Sequence, residues 1–472
     1  MCPSENSHKQ MIELEGHISE NDKQAVAYRG LPFVVPEGVA RIEVKYSFSR
    51  DEPGGLFREA GNILDIGLFD SRGSAFLAAQ GFRGWSGSAI REFFVSKNEA
   101  TPGYLPGSIP AGEWEIILGL HRILPEGCDY RVEVKLFRGE DLDSGVEPVL
   151  ESRILQSGPG WYRGELHCHT HHSEAEGSLE DVVATARAQR LDFVAVTEHN
   201  TVSHLPELRK YSAQDLLLIP GMEITTDRGH ANVWGIDRWL EFRCRNQEEM
   251  AQVVKEAHSR GALISVNHPK EMGPPWTYGM EQQFDCLEVW QLAWFMNNHQ
   301  SLALWDQLLK EGNRLTAVGG SDYHQELYTG ELGVVTLGTP CNWVFAEQLS
   351  VEGVLSGIKE GHVFLSESPK GPKVFLEIMR DGKRARMGDE IVVAPGNHVH
   401  LRCLVEGAAG SELWFRSPEE DLCVEIEGEE YAFDKRILIE QDTFYRVEIL
   451  DRSEPPMLRA MTNPIFVSTK NL

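Results

Sequence analysis

Nine of the seventeen histidines in this chain fall between His167 and His268. Four of them open one segment, Gly164-Glu165-Leu166-His167-Cys168-His169-Thr170-His171-His172-Ser173. The segment reads as a strand running into a loop. Alternate side chains along a strand share a face. His167 and His169 therefore point one way, and Leu166 and Cys168 the other. Two adjacent imidazoles at a strand end suit one divalent metal ion. Further strand ends downstream carry acids or histidines: Thr197-Glu198-His199-Asn200, Gly221-Met222-Glu223, Gly229-His230, Asn267-His268-Pro269 and Gly320-Ser321-Asp322-Tyr323-His324. Hard and borderline cations take carboxylate oxygens and neutral imidazole nitrogens. A hydrolytic site also needs an open position, where bound water becomes hydroxide near neutral pH. The pattern points to a metalloenzyme.

The elements that must position these residues alternate in type. Short apolar strands at 191–197, 216–220, 231–235, 262–266, 286–290 and 315–319 are separated in several places by amphipathic helices. Ser178-Leu179-Glu180-Asp181 has the form of a capping box, with Asp for the usual Glu or Gln, and opens a helix to about residue 189. Others are expected near 246–260, 298–311 and 351–360. Such alternation implies a mostly parallel sheet. About seven strands favour a closed or nearly closed barrel, whose active site lies at the C-terminal strand ends. The metal-type residues all fall there.

The flanks read differently. Alternating strands at 40–48, 114–120 and 130–136, with turn signals Pro53-Gly54-Gly55, Pro102-Gly103 and Pro110-Ala111-Gly112, suggest a β-sandwich. Gly158-Pro159-Gly160 marks its expected boundary. Strand patterns at 374–378, 398–405 and 444–450 suggest a second one. The expected organisation is an N-terminal β-sandwich over 1–158, an α/β barrel over 159–366 and a C-terminal β-sandwich over 367–472; the chain's 472 residues exceed one ordinary domain.

A net charge of −27 opposes approach to a nucleic-acid backbone, so no such polymer is expected as partner. Bound cations still allow a small anionic substrate. The polar N-terminus lacks the apolar core of a secretory signal, and no stretch is apolar enough to span a bilayer. The eight cysteines are scattered without a CxxC pair and read as reduced thiols. The expectation is a cytoplasmic protein acting on a small molecule, with no membrane partner.

The opening histidine segment and the strand-end motifs that follow it, in this order, resemble the PHP (polymerase and histidinol phosphatase) superfamily of metal-dependent hydrolases. The stretch from Gly164 to Asn200 is similar to its CehA/McbA-type subgroup. The resemblance covers roughly 160–366 and implies a distorted (β/α)7, TIM-like barrel with two or three divalent ions (Zn, Mn or Fe). It implies that His167, His169, Glu223 and Asp322 hold the first ion. Glu223 would bridge to a second ion held by His230 and His268. His199 and His324 would hold a third, with a carboxylate from the loop after His169. A metal-bridging hydroxide would attack the substrate, so Glu223, His268 and Asp322 are the candidate catalytic residues. The chain departs from the pattern twice. Ser173-Glu174-Ala175-Glu176-Gly177 is two residues longer than the common Ser-Asp-Gly: Glu174 keeps the spacing from His169, Glu176 keeps the following glycine, and the spacing favours Glu174. Glu198 stands where aspartate is usual, which bears on contacts behind the ligands.

Other residues have plainer readings. His8, His17, His121, His204, His258, His299, His362, His398 and His400 read as ordinary surface or core histidines. His171 and His172 are placed at the site mouth, Cys168 as a packed thiol, and Asp192 at the surface. Trp276, Trp290, Trp294 and Trp305 suit either a substrate pocket or the core. Phosphate-ester hydrolysis is the commonest expectation of the superfamily and suits a multi-metal cluster. Lys270 and Arg228 are then the cationic substrate-binding candidates, with His171 beside them. The alternative is an ester, carbamate or amide hydrolase, with Trp290-Gln291-Leu292-Ala293-Trp294-Phe295 against an apolar leaving group. A third reading is a non-catalytic binding protein whose β-sandwiches carry the ligand sites.

Overall fold

A computed structural model describes residues 9–50, 61–139, 153–211, 215–271, 274–281, 283–328 and 333–470. The expected Pro53-Gly54-Gly55 turn, His8 and Cys2 lie outside them. The N-terminal region carries β1 (Lys9–Ile18), the short helix α1 (Glu20–Ala25), β2 (Tyr28–Val35), β3 (Val39–Phe48), β4 (Ile63–Phe69), β5 (Phe82–Gly87), β6 (Glu92–Ser96), β7 (Gly112–Arg122) and β8 (Cys128–Arg138). They pair as two four-stranded sheets, β1-β8-β3-β6 and β2-β7-β4-β5. Alternation buries one face of each strand. Val44 and Tyr46 of β3, Ile66 and Leu68 of β4, Trp114 of β7 and Val134 of β8 meet in one core.

The central region runs through β9 (Gln156–Glu165), α2 (Leu179–Gln189), β10 (Phe193–Val196), α3 (Leu205–Tyr211), β11 (Leu217–Thr226), β12 (Gly229–Trp234), α4 (Gln247–Ser259), β13 (Leu263–Asn267), β14 (Cys286–Gln291), α5 (Asn298–Lys310) and β15 (Thr316–Gly320). The seven strands are neighbours in chain order. Ser178 and Asp181 cap α2 reciprocally, as the sequence predicts. The pairs β9–β10, β10–β11, β13–β14 and β14–β15 are parallel. β12 instead runs antiparallel to both neighbours. The Asp227-Arg228 turn leaves no length for a crossover, and Gly229, at φ +134°, closes it. The hairpin returns His230 to a position opposite Thr225, two residues from Glu223.

After β16 (Leu327–Tyr328) and β17 (Val334–Val335), β18 (Cys341–Leu349) pairs with β9, and β19 (Val363–Ser366) follows α6 (Val351–Lys359). Gly158-Pro159-Gly160, the expected boundary, lies inside β9, where Gly160 pairs with Ala346. The C-terminal region adds β20 (Lys373–Arg380), β21 (Lys383–Arg386), β22 (Glu390–Val393), β23 (Asn397–Glu406), β24 (Glu412–Arg416), β25 (Leu422–Glu425), β26 (Glu430–Ile439), β27 (Thr443–Leu450), β28 (Leu458–Thr462) and β29 (Ile465–Thr469). β21-β20-β23-β26 form a sheet of their own, whereas β28 pairs with β19, so the central sheet continues past residue 366. No helix among the described residues is long and apolar enough to cross a membrane.

A seven-strand ring closed by a backbone ladder is not what joins β15 to the far side of this sheet. Two buried asparagine amides do so. Asn342 on β18 accepts from Gly319 N–H at 2.9 Å and donates to Gly319 C=O at 2.7 Å. Asn463, just after β28, accepts from Ala317 N–H at 2.7 Å and donates to Ala317 C=O at 2.9 Å. Each amide acts as a peptide group in a missing strand. Buried groups left without partners cost about 1–3 kcal/mol each. Asn342→Ala and Asn463→Ala should therefore each lower stability by about 2–4 kcal/mol in urea unfolding. A loss within about 0.5 kcal/mol would mean the seam is held by other contacts.

Candidate metal centre

The strand ends bring the sequence-predicted donors into one cavity. β9 stops at Glu165, but alternation persists beyond it because Cys168 bridges to Tyr323 and His169 N–H donates to Tyr323 C=O at 2.9 Å. His167 and His169 thus share a side, with ring centroids 5.1 Å apart, while Cys168 is buried with Sγ toward Ala195 C=O. The loop after β10 supplies His199, β11 supplies Glu223, β12 supplies His230, and the ends of β13 and β15 lead into His268 and Asp322. His268 and Asp322 have φ of +29° and +47°, sparsely populated values for such residues. Gly320 is required by crowding, since a Cβ there would lie 2.3 Å from Glu288 Oε1 and 2.4 Å from His167 Cβ.

The distances group around Asp322, Glu223 and Glu174, and His199, with Nδ1 2.8 Å from Glu223 Oε2, links the last two. His167 Nε2 lies 3.3 Å from Glu223 Oε1 and 3.2 Å from Asp322 Oδ1; His169 Nε2 lies 3.0 Å from Asp322 Oδ1 and 3.7 Å from Glu223 Oε2. Glu223 Oε1 is 3.3 Å from His230 Nδ1 and 3.5 Å from His268 Nε2. Glu174 Oε1 is 3.2 Å from His199 Nε2 and 3.3 Å from His324 Nε2. Of the two loop glutamates, Glu174 is the one that reaches these histidines. Donors around a tetrahedral ion with bonds near 2.0–2.1 Å sit roughly 3.3 Å apart. His167 Nε2, both nitrogens of His169, His199 Nε2 and Asp322 Oδ1 are buried without hydrogen-bond partners. Buried polar atoms are normally paired. The donor types, their spacing and their missing partners all fit divalent cations.

Burial raises a carboxyl pKa and lowers an imidazole's. Here charge overrides burial at several groups. Burial opposes ionisation of Glu223, yet His167, His230 and His199 hold it well below the usual range. Asp322 is likewise held down, against burial, by His167, His169 and His324. Burial is outweighed at His167 by Asp322, Glu288 and Glu223, and at His199 by Glu174 and Glu223, so both are raised well above normal. His169 goes the other way, pushed down to about 3 by burial and by His199 and His324.

Behind the donors lies a set of residues that, Glu198 apart, the sequence reading missed. Buried Glu165 accepts four backbone N–H groups, from Leu166, His167, Ser321 and Gly338, at 2.7–3.0 Å. It ties the end of β9 to the segment that carries Asp322. Glu288 of β14 lies 2.9 Å from His167 Nδ1 and accepts from His268 N–H at 3.0 Å. Asn267 donates to Glu223 Oε1 and Gln291 to Asp322 Oδ2, each at 2.8 Å. Thr225 Oγ1 is 2.6 Å from His199 Nδ1. Glu198 accepts from Thr170 N–H and from the hydroxyls of Thr170 and Ser173, fixing the loop that carries Glu174. Glu288 did leave a signal, an acid inside the otherwise apolar run Cys286-Leu287-Glu288-Val289-Trp290.

Several expected substrate contacts are otherwise engaged. Lys270 is only 4% exposed and donates to Gln291 C=O and Asn298 Oδ1 at 3.1 and 2.9 Å. Arg228 lies over the Tyr278 ring and donates to Thr277 C=O. His171 lies tilted beside His172, with centroids 4.8 Å apart, and groups with Glu207. Trp290 and Trp305 are core residues; Trp276 and Trp294 are half-buried. Asp192 is also half-buried and accepts from Arg163 N–H at 2.8 Å. His121, expected to be an ordinary histidine, comes from β7 to the edge of the cavity. Burial lowers its pKa, and the charges of Asp227, Lys23, His230 and Glu174 act on it. Asp65 of β4 is raised to about 7 by burial and by the charge of Glu174. Lys23 of α1 completes this edge, 3.8 Å from Asp227 and donating to His121 C=O.

Residues 165–302 match the family model described as PHP domain. The match takes in His167, His169, Glu174, His199, Glu223, His230 and His268; Asp322 and His324 lie beyond it. None of the curated proteins compared matches the chain. Among solved structures, it is similar to a two-domain protein from Bacteroides vulgatus containing a predicted PHP-like metal-dependent phosphoesterase. Identity is 17% and the TM-score 0.36, over 65% of this chain and 95% of the other. It is also similar to an amidohydrolase from Chromobacterium violaceum with bound sulfate and no metal, at 14% identity and a TM-score of 0.25, over 34% and 87%.

Groups that orient a metal-binding histidine typically contribute 10–100-fold to metal affinity or activity. Glu288→Gln should weaken divalent-ion binding by about that factor in a chelator competition, with an unchanged circular dichroism spectrum. Unaltered affinity would show that His167 needs no such partner.

Proposed function

We propose that the chain is a metal-dependent hydrolase of the PHP type, with two or three divalent ions among His167, His169, Glu174, His199, Glu223, His230, His268, Asp322 and His324. The observation that carries this reading is the convergence of buried imidazole and carboxylate atoms at 3.0–3.7 Å, with His167 Nε2, His169 Nε2 and Asp322 Oδ1 among them lacking hydrogen-bond partners. When bound, such ions lower the pKa of a coordinated water and stabilise charge on the reacting oxygen. The chain's own residues supply the geometry. Glu223 reaches both the His167–His169 side and the His230–His268 side, which suits a bridging carboxylate. Glu288 and Gln291 orient His167 and Asp322, and Glu198 holds the loop of Glu174.

The favoured substrate is a small-molecule phosphate ester, because a cluster of cations offsets phosphoryl charge. One observation favours the second reading, a neutral ester, carbamate or amide of the CehA/McbA type. Lys270 and Arg228, the expected cationic helpers, are engaged with backbone oxygens. Half-buried Trp294 and exposed Phe295 stand at the end of β14, where an apolar leaving group would pack.

The test is turnover of a phosphomonoester, an aryl ester and an aryl carbamate by protein loaded with Zn²⁺ or Mn²⁺. The phosphomonoester should be hydrolysed fastest, and His167→Ala or Asp322→Ala should cut the rate at least about 100-fold while the fold survives. Full activity in either variant would refute the metal assignment. Preferential carbamate or ester turnover would replace the first reading by the second. Metal content near zero in wild-type protein purified without chelator would favour a binding protein instead.

A further inference from the structure

Among the described residues, five groupings of histidine and acidic residues have donor atoms within 4.8 Å of one another, and four of them fall within the cavity described above. The fifth, His171, His172 and Glu207, shares no member with the others. It joins the loop after β9 to the first turn of α3.

Its geometry goes beyond a surface ion pair. His172 is buried, with Nε2 2.9 Å from Glu207 Oε2 and Nδ1 2.8 Å from Ser203 Oγ. Ser203 Oγ in turn accepts from Gly103 N–H of the N-terminal region at 2.9 Å. In the tautomer whose Nδ1–H donates to Ser203, Nε2 presents its lone pair, and a cation would take the place of the proton between it and Glu207. This is how metal-binding imidazoles are usually held: one nitrogen fixed behind, the other presented. His171 lies against His172, and its Nδ1 is buried with no hydrogen-bond partner. A plain His172–Glu207 pair accounts for two of the three side chains and leaves that nitrogen stranded at the cost of a buried unpaired group. A cation held by one donor atom from each of the three would bring His171 into the group. Glu207 retains 29% of its side-chain exposure, which opens the group to ions from solvent. The loop is also fixed in advance: His171 N–H donates to Gly177 C=O, and Thr170 and Ser173 are pinned by Glu198.

We infer that His171, His172 and Glu207 form a separate metal site for a borderline divalent cation such as zinc, clamping α3 to the loop that carries Glu174. Two imidazoles and one carboxylate are a common zinc donor set, with the fourth position left to water. The inference does not depend on the hydrolase reading, because its ligands lie outside the cavity and its readout is metal content.

The test uses the full chain and Zn²⁺ alone, with bound zinc counted by elemental analysis after dialysis and affinities measured by chelator competition. Glu207→Gln and His171→Ala each remove a donor while keeping the Ser203–His172 contact. Each should bind one zinc fewer than wild type, with an unchanged circular dichroism spectrum. His167→Ala should keep the zinc that these two variants lose. The inference is overturned if both variants bind as many zinc ions as wild type with the same affinities, or if wild type binds none. A protein that gains this zinc yet hydrolyses nothing would sink the hydrolase reading alone.

Discussion

Burying charge is the constraint on which this structure turns. Glu223 and Asp322 stand inside a ring of imidazoles, Glu223 with no exposed surface. An ionised carboxylate taken out of water loses several kcal/mol of hydration unless positive charge meets it. The imidazoles supply that charge only by binding protons, and burial resists this. The result is conflict among neighbours: His167 and His199 are drawn towards protonation while His169 is driven from it. Shared cations would remove the conflict, since neutral nitrogens and ionised oxygens would then serve the same centres. Every other feature of the cavity keeps these donors closer than they would stay alone.

That holding is done largely by other buried carboxylates. Glu165 gathers four amides from three segments, so the position of Asp322 follows that of His167. Glu288 couples His167 to the backbone of His268. Lys270, Asn298 and Gln291 form a chain that ends on Asp322. His268 and Asp322 accept unfavourable backbone angles, at about 1–3 kcal/mol each, which persist only where the surroundings over-determine them. The supports and the strain coincide, as expected where a fold trades stability for placement.

Much of this was legible in the sequence, because local patterns determined it. Strand ends bearing His167, His199, His268 and Asp322 were read from apolar runs broken by polar residues, and the capping box at Ser178 set the start of α2 within a residue. What escaped was non-local. The role of Glu165 depends on Ser321 and Gly338, more than 150 residues away. The turn at Asp227-Arg228 reverses β12, a direction that apolar periodicity does not encode. Glu174 and Glu176 are equivalent as residue types; the spacing from His169 favoured Glu174, and the path of the loop brings it to His199 and His324. Lys270 looked like an exposed helper beside His268, but its direction depends on Asn298, whose carbonyl oxygen receives it.

The flanking regions are parts of the same physical object, not appended modules. Asn463 lies beyond the central region in sequence, yet it completes the hydrogen bonding of β15, and β28 extends the sheet from β19. At the other end, Phe82 stacks on Trp239 with centroids 4.2 Å apart, Trp85 meets Phe242 at 4.8 Å, and Gly103 bonds both Thr201 and Ser203. These contacts fix the N-terminal sheet beside the cavity, where Asp65 feels the charge of Glu174 and His121 that of His230. The central strands determine which donors converge, and the N-terminal strands determine what surrounds them; neither alone specifies the chemistry of the cleft.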